Sequence, residues 1–217
     1  MSVSADSSAG KTASVLVLIR GREYLRPYLV RAFGPGYELT FAWEIPTDMD
    51  FDMCVAIAGE GETLPEGAGD LPVIEVPEIV CTGMQGTVRE LAGDVASGRF
   101  FAIRDFSYPR IRVVHGTDVA EAARIAAEAG RPGRWALDDG ETPTLNELAD
   151  ALAFRMKGKR LYALPRKWAA LFRVGLRWKR FPEATAPDSP RFDEAFGFAP
   201  TPVCRYLRTH VYDESSL

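Results

Sequence analysis

Two hydrophobic periods share this chain. Residues 15–19 (VLVLI) form a continuous apolar run of strand length, and Leu25, Tyr28, Leu29, Ala32 and Phe33 follow at helical spacing. Gly34-Pro35-Gly36 ends that helix, after which YELTFAW (37–43) and MCVAIA (53–58, ending at Gly59) predict a second and a third strand. Gly59 to Asp70 is rich in glycine and acid and reads as a mobile loop, and VIEVPEIV (73–80) is strand-like. The pair Thr87 and Glu90 predicts a capping box for a helix striped by Val88, Leu91, Ala92, Val95 and Ala96 and closed by Gly98. IRVVH (111–115) reads as a strand and Thr117 to Ala129 as a helix ended by Gly130. A second capping box, Thr144 with Glu147, opens a helix striped by Leu145, Leu148, Ala149, Leu152 and Met156. Strands that alternate with helices predict a parallel sheet, because parallel neighbours need crossover connections. The fold class is α/β.

Beyond that helix the character changes. Residues 151–182 hold ten Arg or Lys and no Asp or Glu, so a chain of net charge −4 carries +10 here and −14 elsewhere. This implies a local positive field on an acidic protein. Within it, KGKRLYALPRKWAALFRVGLRWKRF (157–181) predicts a strand, a break at Pro165, and a helix with Trp168, Leu171, Phe172, Gly175, Leu176 and Trp178 on or near one face. Three uses are open. The helix is packed by its aromatics with solvated charges, or it meets an anionic membrane surface, or it holds a phosphate-bearing ligand, with Arg166, Lys167, Arg173 and Arg177 as the anion-binding candidates. The acidic whole disfavours nucleic acid.

At 47% hydrophobic and 26% charged over 217 residues, the composition is that of a soluble globular body with one compact core. No apolar run approaches the roughly 20 residues of a membrane span, and the first 14 residues lack the basic-then-apolar plan of a secretory signal, so a cytoplasmic address is expected. Cys54, Cys81 and Cys204 have neither paired nor metal-ligand spacing, which predicts thiols in a reducing compartment and no metal. AGKT at 9–12 is not a phosphate loop, since it precedes the first strand and lacks the earlier glycine.

The run VPEIVCTGMQGTVRELAGDVASGRFFAIRDFSYPRIRVVHGTDVAEAARIAAEAG from Val76, then GETPTLNELADALA, then FGFAPTPVCRYLRTHV, resembles the extended short-chain dehydrogenase/reductases, the NAD-dependent epimerases and dehydratases. The resemblance implies a tail over 1–14, a Rossmann-like domain over 15–158 with some strands deleted, and a small, mostly helical C-terminal subdomain over 159–217. It also implies a dinucleotide turn TGxxGxxG after the first strand, on which Gly21 matches the first glycine while Glu23 and Arg26 replace the other two. Glu23 would then face the phosphates, and Arg26 would wedge between helix and sheet. Arg20, Arg22 and Arg26 either bind an anion in place of glycine amides or are a solvated loop, and Glu44, 23 residues after Gly21, stands near the place of a ribose-binding acid. On the substrate side the resemblance points to Thr82, within Cys81-Thr82-Gly83, and to Arg110 and Arg112; alternation places those two arginines on one face and Ile111 on the other. His115, without an acidic or cysteine partner nearby, is expected to be structural.

The family's catalytic pair is a tyrosine with a lysine four residues on. None of the seven tyrosines has that lysine, and the long segment that would carry the pair, and the helices of the family's dimer, is reduced to the connection from Gly59 to Val76. The expectation is a degenerate epimerase/dehydratase-like protein that binds NAD or NADP weakly if at all and serves to bind a ligand or partner, the ligand being a nucleotide sugar or another phosphate-bearing small molecule. Two alternatives stay open: an active nucleotide-sugar enzyme with rearranged residues, and a peripheral membrane protein using 159–181.

Overall fold

The structure, a computed structural model, describes residues 12–104, 106–158, 160–165, 167, 178 and 181–209. The strands are β1 (Ala13–Leu18), β2 (Tyr37–Ala42), β3 (Met53–Gly59), β4 (Pro72–Val76), β5 (Glu78–Val80), β6 (Ala102–Ile103), β7 (Val113–His115), β8 (Gly133–Ala136) and β9 (Ala163–Leu164). The helices are α1 (Arg26–Phe33), α2 (Gly86–Ala96), α3 (Gly116–Ala129), α4 (Leu145–Lys157), α5 (Phe192–Phe196) and α6 (Val203–Thr209).

Five strands make one parallel sheet in the order β2-β1-β3-β4-β8. The strand pleat divides its side chains between two cores. Val15, Val17, Ile19, Val55, Ile57, Ile74 and Val76 face the larger one, which α1, α3 and the C-terminal elements cover. Leu16, Leu18, Ala56, Ala58 and Val73 face the other way and are covered by Ile45, Phe51, Leu64, Ala68 and Leu71, which belong to connecting segments. The sheet is Rossmann-like with one helical layer among the described residues, as expected for a chain with elements deleted. Phe192 of α5 and Val203 and Leu207 of α6 sit in the same large core as Leu145, Leu148 and Leu152 of α4.

Four local expectations are corrected. The 73–80 run is two strands, because Pro77 has no amide to donate; β5 leaves the main sheet and pairs in parallel with β7. The strand expected from Ile111 begins at Val113, after an isolated bridge at Arg110. Thr87 does not cap α2. It already lies inside the first turn, and the carboxylate of Glu78 accepts from the amides of Thr87 at 3.4 Å and Val88 at 3.5 Å. Gly86, at φ +70°, makes this possible, since a Cβ there would lie 3.0 Å from Glu78 Oε2. Ala96 is exposed, at the frayed last turn. By contrast the Thr144/Glu147 box forms in full, with Thr144 Oγ1 accepting from the Glu147 amide at 3.2 Å and Glu147 accepting from the Thr144 amide at 2.8 Å.

The Gly59–Asp70 connection is tethered rather than free. Glu62 accepts from the Gly59 amide at 2.7 Å, its carbonyl accepts from Arg134 at 2.9 Å, and Ala68 is fully buried. No helix of the described residues is long and apolar enough to cross a membrane.

Candidate functional site

Strand order reverses at β1, with β2 on one side and β3 on the other, so the carboxyl ends of β1 and β3 bound the crevice where open α/β sheets take ligands. Two cavities that share Arg20 lie there, one lined by Arg20, Trp43 and Glu44, the other by Arg20, Gly21, Arg22, Tyr24, Pro77 and Glu78. Of the cofactor-site residues proposed from sequence, Arg20, Gly21 and Arg22 line one cavity, and Glu44 lines the other with Arg20.

The turn after β1 differs from a phosphate cradle. Gly21 has φ +69°, a backbone angle that favours glycine, with open space where a Cβ would stand. Arg22 folds across Gly59, whose added Cβ would lie 2.6 Å from the guanidinium, and is fixed by Glu62 at 2.9 Å and the Arg20 carbonyl at 2.9 Å. Glu23 opens a 3₁₀ turn, Glu23–Leu25, and accepts from Trp43 Nε1 at 2.7 Å. Its own amide, helped by Trp43, the Gly21 amide and Arg26, holds its carboxyl below the usual range against the opposing pull of burial. Arg26 is not wedged under the helix. The 3₁₀ turn and Pro27 delay α1, which leaves Arg26 exposed with its guanidinium 5.2 Å from the Phe41 ring centroid. The turn sets the Glu23 carboxylate, which its surroundings keep ionised, where a dinucleotide pyrophosphate would come, and two anions side by side repel.

A further cavity, of about 380 Å³ and also lined by Arg22, Pro77 and Glu78, lies between Gly59, the β4–β5 kink, residues 110–112 and residues 181–185. Arg110 and Arg112 line it together, and so does Ile111, because this segment precedes the regular strand. Arg110 is exposed and donates to the Thr142 carbonyl at 2.9 Å. Arg112 is 6% exposed. It pairs with Asp138 at 2.8 Å and with Glu60, while its Nη2 has no hydrogen-bond partner among the described residues. Asp138 is fixed in turn by the Gly140 amide at 2.9 Å and Arg191 at 3.3 Å. Glu183 accepts from the Arg110 amide at 3.1 Å and draws the 181–185 segment over the cavity. Glu60, Asp138 and Glu183 were not singled out in the sequence. They lie 52, 26 and 73 residues from their arginine partners, beyond any local pattern; only the acid-acid-glycine turn Asp138-Asp139-Gly140 carried a signal.

Thr82 lies elsewhere, in a separate cavity of about 260 Å³ with Tyr28, Cys81 and His115. Its amide donates to Tyr28 Oη at 3.0 Å. His115 caps α3, its Nδ1 accepting from the Thr117 amide at 3.3 Å, and its ring centroid is 4.1 Å from that of Tyr206. Burial pushes the Cys81 and Cys204 thiols up to about 12, and all three cysteines are free. Of the anion-binding candidates, Lys167 is exposed, and Arg166, Arg173 and Arg177 lie outside the described residues. Trp178 is 3% exposed and donates from Nε1 to Asp94 at 3.0 Å, with Phe100 and Phe181 around it. Among the described residues there is no metal-holding group of His, Cys, Asp and Glu.

No protein-family description and no curated protein matches the sequence. Solved structures do. UDP-N-acetylglucosamine 4-epimerase from Bacillus cereus is similar over 91% of this chain and 100% of its own, at 10% identity and a TM-score of 0.58. The fold is that of the nucleotide-sugar epimerases. A UDP-N-acetylglucosamine 4-epimerase from Methanobrevibacter ruminantium M1, in complex with UDP-N-acetylmuramic acid, gives 0.56 at 11% identity over 92% of this chain and 97% of its own. The enzyme WbmF from Bordetella bronchiseptica, in complex with NAD+ and UDP, gives 0.54 at 12% identity over 91% and 90%. At such identities the likeness is one of fold, and the chemistry has to come from the residues present.

Proposed function

We propose that this chain is a cytoplasmic, non-catalytic ligand-binding protein on a nucleotide-sugar epimerase fold, which takes a nucleotide sugar or another phosphate-bearing small molecule in the cavity beside Arg110 and Arg112. The carrying observation is the buried Arg112 guanidinium, whose Nη2 is unpartnered among the described residues and which lines a cavity at the carboxyl ends of the sheet. A fixed, desolvated guanidinium of this kind suits a phosphate or a carboxylate. That two fold neighbours are complexed with UDP-N-acetylmuramic acid and with UDP supports the ligand class.

Hydride chemistry has little support. No tyrosine has a lysine four residues on, and burial pushes the hydroxyls of Tyr24 and Tyr108 up to about 12, away from proton transfer near neutrality. Glu23 stands against the pyrophosphate of NAD or NADP. Calorimetry with UDP-N-acetylglucosamine and NAD+ tests both halves of the reading. The expected result is sugar-nucleotide binding that Arg112→Lys weakens by roughly tenfold or more, since a lysine cannot fork, and no NAD+ binding. Micromolar NAD+ affinity, or sugar-nucleotide binding indifferent to Arg112→Lys, overturns the assignment.

A further inference from the structure

Arg112 has two carboxylate partners of opposite character. Asp138 is 5% exposed and held by other groups, so it is a permanent neighbour. Glu60 is 48% exposed and reaches in from solvent at the start of the β3–β4 connection to meet Nη1. An ion pair with one half-exposed member contributes little, whereas a buried guanidinium nitrogen left without a partner is costly. A ligand anion that covers Nη1 and Nη2 together would satisfy more of Arg112 than Glu60 does.

We infer that Glu60 is an exchangeable internal occupant of the anion site at Arg112, and that a phosphate-bearing ligand binds by displacing it. The inference rests on the proposed reading of this cavity as a ligand site. It also narrows the ligand. A free carboxylate brings the same single charge as the tethered one already present at high effective concentration and competes poorly with it, whereas a diphosphate brings more charge and more acceptor oxygens. The site is thereby biased toward phosphates and against sugar acids and other carboxylates. Displacement asks little of the fold: Gly61, at φ +68° with open space around its Cα, follows Glu60, while Glu62 stays on Arg22 and the Gly59 amide. Only the tip has to move.

The test is calorimetric titration of UDP into the wild-type protein, Glu60→Gln and Asp70→Asn. Asp70 is exposed on the same connection and does not line the cavity, so its variant removes the same charge without touching Arg112. Because an occupied site lowers apparent affinity by the fraction that is competent, Glu60→Gln is expected to bind UDP about three- to tenfold more tightly, with Asp70→Asn within about twofold of wild type. UDP binding by Glu60→Gln alone supports the inference as well. Equal or weaker affinity in Glu60→Gln overturns it and leaves the ligand site standing. No UDP binding by the wild type or by Glu60→Gln overturns the site and the inference with it.

Discussion

At the scale of single residues, buried charge is where this protein is most constrained. Asp139 opposes the ionisation of Asp118 and Asp138 that of Asp139, and Asp118 and Asp139 both hold the entry to α6. Thr201 donates its amide to Asp118 at 2.8 Å, and Val203 donates to Asp139 at 3.1 Å. Burial raises both carboxyls above their ordinary value, with those amides pulling the other way. A raised folded-state value means a stability contribution that is fully present below the unfolded carboxylate value of about 4 and is lost as pH rises through the folded one. Asp118→Asn keeps an acceptor for Thr201 and removes the titration. The difference in melting temperature, variant minus wild type, is therefore expected to grow between pH 4 and pH 7. A difference that stays flat with pH would show that Asp118 ionises at no cost. None of this was legible in the sequence, where both residues are ordinary acids; their neighbours come from 83 and 64 residues away. Arg110 and Arg112 came into view through the family resemblance of their segment, and strand alternation placed them as neighbours. Their difference in burial was not legible, since it depends on Asp138.

At the scale of elements, local pattern sufficed wherever the backbone groups were satisfied locally. The strands β1 to β3, the helix stops at Gly34, Gly98 and Gly130, and the Thr144/Glu147 box all follow from spacing and turn chemistry. Thr87/Glu90 carries the same cap pattern and fails, because Gly86 lets a carboxylate from β5 reach the helix first. Removing that carboxylate with Glu78→Ala is expected to cost about 1 kcal/mol in denaturant unfolding, the usual worth of an N-terminal cap, while Thr87→Ala stays within about 0.5 kcal/mol. If Thr87→Ala were the costlier change, the cap would be the local one after all. The same contest of local and distant partners explains the turn after β1. One surviving glycine made it look like a worn phosphate cradle. What fills it is a set of partners brought by other elements: Glu62 on Arg22, and Trp43 on Glu23.

At the scale of the whole molecule, the sheet has helices on one face and connecting segments on the other, and the charge is as unevenly divided as the layers. Ten cationic side chains over residues 151–182 must raise a positive potential even on a chain of net charge −4. Whether they could seat the protein on a membrane depends on what the aromatic residues among them do. Trp178 is spent inside: its ring is in the core and its N–H is on Asp94, so it cannot enter a lipid headgroup layer without leaving both. Any contact with an anionic surface then has to rest on the charges, including Arg173 and Arg177 beyond the described residues. Contacts of that kind fade as the Debye length shrinks from about 10 Å at 0.1 M salt to about 3 Å at 1 M. Co-sedimentation with anionic vesicles is therefore expected at 0.1 M and lost at 1 M, absent with neutral vesicles, and reduced by the Arg173→Glu, Arg177→Glu pair. Binding that survives 1 M salt would mean that apolar side chains insert, which the burial of Trp178 opposes. Absence of binding even at 0.1 M would leave the basic stretch as a solvated surface over a packed tryptophan.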